Sequence, residues 1–454
     1  MKILIVGAGE VGFNIAKRFA SENKEVLVID ANPEALKRVS ENLDVQTLAG
    51  SGSSPRVLQE AGVAEADMLL AVTNSDEANL IACFFANHLA PEARKVVRLR
   101  NEDYTAYGDA LARDILNISM VINPDVEVVR SIMRLLAAPG AVELNEFAEG
   151  RIVMVGVRLA ADSPLAGRKL MNMPAVTGET RVIIAALVRE ERLIIPKGSD
   201  RFAGGDLVYF ACEKKDLGAA LEKLGAGAKP IKNVLIVGGG KIGLLLAQEL
   251  ERKRFSVKLV EIDPERGETL SARLDRPIVL LGDGTDHELL QEENIGAMDM
   301  VVALTGDEET NIISCLLAKR LGARQTITRI NKFAYMPLVK AIGVDHIVSP
   351  RLSAINSILH HMRRGKVISA VSIQDDEAEI LEAIALSNSE IVGRPLRDLA
   401  VRKNALILCI LRGEEVIIPT GDSVVLPEDR ILILAARKDV PTVEKALAVK
   451  VERF

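Results

Sequence analysis

The sequence predicts an α/β protein with two doubly wound parallel sheets, each followed by a small α+β domain. Three observations carry this reading. A short apolar run, Ile3 to Val6, leads straight into the glycine turn Gly7-Ala8-Gly9-Glu10-Val11-Gly12 and then into a helical pattern. The same passage returns 231 positions later as Gly238-Gly239-Gly240-Lys241-Ile242-Gly243. Between and after these turns, brief apolar strands alternate with helical stretches, the order that builds a parallel sheet. A buried strand, a glycine turn and a helix start in succession make both domains Rossmann-like.

Each element of the first half has a physical reason. Gly7 permits the tight turn, Gly9 leaves the backbone open to a pyrophosphate, and Gly12 lets helix and strand pack closely. The helix start offers unpaired N–H groups and a partial positive charge. Val11, Ile15, Ala16 and Phe19 recur at helical spacing. The strand VLVID then ends in Asp30, about twenty positions beyond the glycines, where a carboxylate accepts hydrogen bonds from ribose hydroxyls. That charge repels a 2′-phosphate, so the expected cofactor is NAD(H) or an adenine nucleotide (ATP or ADP), not NADP. VQTLAG, a helix led by Pro55, DMLLAVTNS, a helix from Asp76 to Leu89 and KVVRLR follow. Ligands on such sheets sit at the carboxyl ends of the strands, which places Ser51, Thr73, Asn74 and Arg98 beside Gly7 and Asp30. A further helix opens at Pro124 and stops before Pro139-Gly140.

The second half repeats these points in order. Glu261 stands for Asp30 and Arg329 for Arg98 at 231 positions; Asp283 stands for Ser51, and Thr305-Gly306 for Thr73-Asn74, at 232. Between the two halves the composition changes to short β-rich runs (VIIAALV, RLIIP, DLVYFAC) around the charged turn Arg189-Glu190-Glu191. This module also recurs: Gly167-Arg168 matches Gly393-Arg394, Pro196 matches Pro419 and Asp206 matches Asp429. GAGAKP, from Gly225 to Pro230, reads as a hinge. Four domains are expected, at 1–140, 141–228, 231–366 and 367–454.

Composition sets the outer limits. Apolar residues make up 48% of 454 and charged residues 26%, enough for several cores. A net charge of −6, no Trp and 3% aromatics argue against a nucleic-acid partner. Cys83, Cys212, Cys315 and Cys409 lie far apart in apolar runs and read as reduced core thiols in a cytosolic protein. No window is apolar for long enough to span a membrane. The Pro-led helices from Pro124 and Pro350, with Ile132 and Ile358 on them, are candidates for domain–domain contacts.

The ordered double set VGAGEVG, Asp30, GSGSSP, AVTNSDEAN, Arg98 and then VGGGKIG, Glu261, GDGTD, ALTGDEETN, Arg329 resembles the TrkA family. These are peripheral subunits of the bacterial and archaeal Trk potassium-uptake system, built of tandem RCK (or KTN) domains. The resemblance covers essentially the whole chain. It implies a regulatory, non-enzymatic protein in the cytoplasm, held on the inner face of the cell membrane through a potassium-translocating subunit. It also implies self-association into a ring, a homotetramer. Carried over, Gly7 to Val11 and Gly238 to Ile242 hold a pyrophosphate and Asp30 and Glu261 take the ribose. Thr73-Asn74 and Thr305-Gly306 line the cleft, and Arg98 and Arg329 reach bound phosphate.

Rival readings are a NAD-dependent oxidoreductase and a free-standing nucleotide sensor. No histidine of one half matches a histidine of the other, which counts against the enzyme. The cationic cluster HHMRRGK reads as charge at a helix C-terminus, and Asp375, Asp376, Glu377 and Glu379 as a solvated loop without metal.

Overall fold

Strands fall along the chain in four groups in the computed structural model, which describes residues 1–22, 24–106, 116–225, 227, 229–362, 367–373, 377–399 and 405–447. The first group is β1 (Lys2–Val6), β2 (Glu25–Asp30), β3 (Gln46–Ala49), β4 (Met68–Ala71), β5 (Arg94–Arg98) and β6 (Ile118–Ile122). The second is β7 (Ala141–Phe147), β8 (Ile152–Arg158), β9 (Val182–Arg189), β10 (Arg192–Ile194) and β11 (Leu207–Glu213). The third is β12 (Asn233–Val237), β13 (Ser256–Glu261), β14 (Ile278–Leu281), β15 (Met300–Ala303), β16 (Gln325–Arg329) and β17 (His346–Val348). The fourth is β18 (Val367–Ile373), β19 (Ala378–Ile384), β20 (Ala405–Arg412), β21 (Glu415–Ile417) and β22 (Arg430–Ala436).

Packing gathers these groups into two compact units, Met1–Ile132 with Lys232–Leu359 and Met133–Ile231 with His360–Phe454. Each unit therefore joins two stretches that lie far apart in sequence.

In the first unit both sheets are parallel and share one strand order, β3-β2-β1-β4-β5-β6 and β14-β13-β12-β15-β16-β17. The order reverses beside β1 and beside β12. Val6 is in register with Ile29 on one side and Ala71 on the other, and Val237 with Val260 and Ala303. A crevice thus opens over the carboxyl end of each first strand. Strands covered on both faces are almost wholly apolar, which is why ILIV and VLIV precede the turns. Leu4, Val6, Leu69, Ala71 and Val97 pack with Cys83 and Ala86 of the helix Asp76–Leu89. Leu235, Val237, Val301 and Ala303 pack in the same way with Cys315 and Ala318 of the helix Glu308–Arg320.

In the second unit the sheets are antiparallel, β10-β9-β11-β8-β7 and β18-β19-β22-β20-β21. Each sheet carries a short helix on one face, Leu217–Lys223 on the first and Val440–Leu447 on the second. A single apolar cluster joins the two sheets: Phe147, Ile152, Met154 and Tyr209 of one meet Ile380, Leu408, Leu432 and Leu434 of the other. Glu382 accepts a hydrogen bond from the Ala148 amide at 3.0 Å and is paired with Arg430.

The structure corrects or limits three expectations, for the acidic loop, the hinge and the cationic cluster. Glu379 does not lie in a solvated loop: it sits in β19 and is buried, as is Glu382, because that central strand is covered on both faces. Asp375 and Asp376, Ala226 and Ala228 of the hinge, and Arg363 to Lys366 of the cationic cluster lie outside the described residues. Among the described residues no helix is long and apolar enough to cross a membrane, and no group of acidic, His or Cys side chains could hold a metal.

All four cysteines are buried and unpaired with one another. Burial pushes each thiol up to about 12. The native chain is therefore expected to resist a thiol reagent at pH 8 until it is denatured. Rapid native labelling of any of the four would contradict this packing.

Candidate nucleotide-binding sites

The first turn is fixed from three directions. Gly7 has φ of +114°, donates its N–H to the Ile29 carbonyl at 2.8 Å, and has no room for a Cβ, which would lie 3.0 Å from the Thr73 nitrogen. A Cβ on Gly12 would lie 1.8 Å from the Gly7 carbonyl oxygen, so only glycine lets the helix Glu10–Ser21 start this close to β1. At Gly9 the space is open. The second turn repeats this geometry. Gly238 has φ of +100° and bonds the Val260 carbonyl at 2.8 Å; a Cβ on Gly243 would lie 2.0 Å from the Gly238 oxygen, and Gly240 faces open space.

The two acids do more than face a ligand. Asp30 accepts from the Ala8 amide at 2.6 Å and the Asn32 amide at 2.8 Å. Glu261 accepts from the Gly239 amide at 2.7 Å and from the Ile262 and Asp263 amides at 3.0 Å, with Arg266 at 3.5 Å. Both carboxylates thus tie the end of the second strand to the glycine turn. Asp30 is half-buried and Glu261 only 3% exposed, so Asp30 retains more access for a ribose than Glu261 does. The exchange of side chains is compensated: the longer acid faces Gly239, where a Cβ would lie 3.0 Å from its Oε2 and 2.2 Å from Leu270, while the shorter Asp30 faces Ala8.

The far wall of each crevice is pinned by a buried asparagine. Asn79 accepts from the Thr73 amide at 2.9 Å and hydroxyl at 2.7 Å, and donates to the carbonyls of Thr73 and Arg98. Asn311 makes the same four bonds to Thr305 and Arg329. Arg98 donates to the Thr73 carbonyl and Asn74 Oδ1 at 2.8 and 3.0 Å, and Arg329 to the Thr305 carbonyl at 3.3 Å. Among the described residues, the Nε of both arginines is buried without a hydrogen-bond partner. Ser51 shares a hydrogen bond with Ser53, whereas Asp283 accepts from the amide and hydroxyl of Thr285 at 2.8 Å.

Around the second turn lies a cavity of about 650 Å³. Gly238, Gly240, Lys241, Ile242, Glu261, Asp283, Thr305, Gly306 and Arg329 line it, as expected from sequence; Gly239 and Gly243 shape the turn from behind. Arg266, Arg100 and Asp125 complete the wall, the last two contributed by the first half of the chain. Sequence reasoning missed all three: Arg100 and Asp125 because a contact between halves leaves no local pattern, and Arg266 because it lies outside the repeated motifs. Asn79 and Asn311 carried a signal, their matched register, without a chemical motif.

Arginines crowd this junction. Asp125, 1% exposed, pairs with Arg100 at 3.4 Å. Burial pushes the Arg98 guanidinium below its ordinary value, with Arg100 and Arg351 adding to the effect and Asp76 and Asp125 opposing it. Burial does the same to Arg329; Asp125 and Glu308 oppose it, and Arg100 and Arg351 add to it. Asp125 and Arg351, on the two Pro-led helices, thus each act electrostatically on both Arg98 and Arg329.

Comparison with known proteins follows the same division. The TrkA-N domain model matches residues 3–124 and 234–350, and the TrkA-C domain model residues 154–225 and 380–448. The Trk system potassium uptake protein TrkA of Azorhizobium caulinodans is 37% identical over the full length of both chains. That of Halomonas elongata is 40% identical over 96% of each chain. Among solved structures, the GsuK RCK domain aligns with a TM-score of 0.61 and 18% identity, covering 98% of this chain and 94% of its own. The GsuK channel bound to NAD gives a TM-score of 0.61 and 19% identity, covering 98% of this chain and 78% of its own.

Proposed function

The chain belongs to the TrkA family of the Trk potassium-uptake system, and from that premise we propose that nucleotide bound at its two glycine turns sets the activity of a membrane partner. It is a regulatory subunit of potassium uptake. The observation that carries the nucleotide reading is the repeated glycine turn with its asparagine-pinned wall, facing a cavity of about 650 Å³ in the second copy.

In this reading the amides of Gly9 to Val11 and Gly240 to Ile242 hold phosphates at the helix starts. Asp30 takes a ribose; Glu261 first secures its own turn and offers what remains of its accepting capacity. Arg98 and Arg329, each with an unpartnered buried Nε, steady anionic oxygens. The four segments 1–140, 141–228, 231–366 and 367–454 act as two nucleotide domains and two regulatory or assembly domains. Copies of the chain form a ring, a homotetramer, in the cytoplasm on a Trk-type potassium-translocating subunit. A nucleotide that makes different contacts in two ring geometries shifts their balance by its difference in affinity, with no chemical step.

Calorimetric titration of the chain with NADH, NAD, ATP, ADP and NADPH tests this. NAD(H) or adenosine phosphates are expected to bind and NADPH to be disfavoured at least tenfold at the first turn, since its 2′-phosphate faces the Asp30 carboxylate. Equal binding of NADPH and NADH in the wild type would remove the ribose role of Asp30.

A further inference from the structure

The two turns have one backbone and opposite charge. Gly9 and Gly240, the caps of the two helices, have φ, ψ of −65°, −176° and −63°, −174°. The next residue, first in its helix, is Glu10 in one copy and Lys241 in the other. That position borders the phosphates in the nucleotide reading, on which this inference rests.

Their surroundings differ as well. The Glu10 carboxylate is paired with Arg38 at 2.5 Å, and Arg38 lies over the Phe13 ring at 4.6 Å. Thr269 and Leu244 occupy the matching places in the second half, so neither partner recurs there. The pair neutralises the Glu10 carboxylate and ties up Arg38, so the first helix start presents no free cation where the second presents Lys241. Lys241 is exposed, lines the cavity and donates to the backbone carbonyl of Arg100, and among the described residues it forms no ion pair with a carboxylate. The acids of that cavity are otherwise engaged. Asp125 pairs with Arg100, Glu261 with backbone amides and Arg266, Asp283 with Thr285, and Asp307 caps the following helix through Thr310.

We propose that the two sites sort nucleotides by terminal charge. The first, with no free cation at its helix start, accepts a dinucleotide, whose pyrophosphate is esterified at both ends, and disfavours a nucleotide with a free terminal phosphate. The second takes a nucleoside di- or triphosphate, whose extra anionic charge meets Lys241. Glu10 and Lys241 are then the residues that set specificity. The cavity and the buried Nε of Arg329 mark an anion site there independently of the helix start.

Titration of the full chain with ATP and with NADH, in the wild type and in Glu10→Lys, Lys241→Glu and Lys241→Gln, separates the outcomes. Lys241→Glu is expected to weaken ATP at least tenfold, with Lys241→Gln intermediate and thermal unfolding unmoved. Glu10→Lys is expected to add a second ATP per chain. ATP affinity indifferent to both charge changes at Lys241, or no gain in Glu10→Lys, overturns the sorting and leaves nucleotide binding standing. Failure of the wild type to bind either ligand overturns the nucleotide reading as well.

Discussion

Alanine at Gly243 is expected to remove nucleotide binding at the second turn while the first turn still binds. The added Cβ would sit 2.0 Å from the Gly238 carbonyl oxygen. That oxygen has nowhere to go. Gly238 already has φ of +100° and its N–H is bonded to the Val260 carbonyl at 2.8 Å, which sets the peptide plane. The helix Lys241–Arg252 must therefore move off the end of β12, taking the Gly240 and Ile242 amides with it. Overpacking of this kind costs about 2–3 kcal/mol, equivalent to about 30- to 150-fold in affinity when the strain falls on the binding-competent form. Titration should show one fewer ligand per chain, with a lower melting temperature. The companion change at Gly12, with a contact of 1.8 Å, should silence the first site. Two intact sites in both variants would mean that these helices do not need their close approach.

The fold was legible because its signals are local and duplicated. ILIV before Gly7 and VLIV before Gly238 announce buried parallel strands, and the matched spacing of Asp30, Thr73 and Arg98 with Glu261, Thr305 and Arg329 gives the crevice walls. What sequence order hides is the pairing of segments far apart. Linear reading gives alternating modules, whereas packing gathers the two parallel sheets into one unit and the two antiparallel sheets into the other. Arg100 and Asp125 reach the second cavity through that pairing, and Glu382 meets the Ala148 amide through it. The role of the acids was half legible. A carboxylate at the end of a second strand is readable, but its bonds to the Ala8 and Gly239 amides depend on turn geometry that no composition reveals.

Alanine at Arg189 should cost the second unit about 2–4 kcal/mol, because it strips a buried carboxylate of its cation. Asp206 is 1% exposed and receives Arg189 Nε and Nη2, both at 2.8 Å, and the Ala203 amide at 2.7 Å. The head of Arg189 is 41% exposed, which keeps the figure below that of a fully buried pair. The clamp closes the hairpin between β9 and β10, whose turn residues Glu190 and Glu191 have φ of +50° and +61°; the matching Arg412–Asp429 clamp sits beside Gly413, which adopts φ of +59° without a side chain. Burial alone would raise the Asp206 carboxyl, but the hydrogen bonds from Arg189 and Ala203 outweigh it and hold it below its ordinary value of 3.8. A carboxyl lowered on folding contributes its full stability above that value and loses it as pH falls through the lowered one. The gap between wild type and Arg189→Ala in urea denaturation should therefore be widest near neutral pH and narrow below about pH 3.8. A gap that stays constant with pH would assign the loss to packing of the arginine stem against the hairpin, and the charged clamp would have no part in holding the turn.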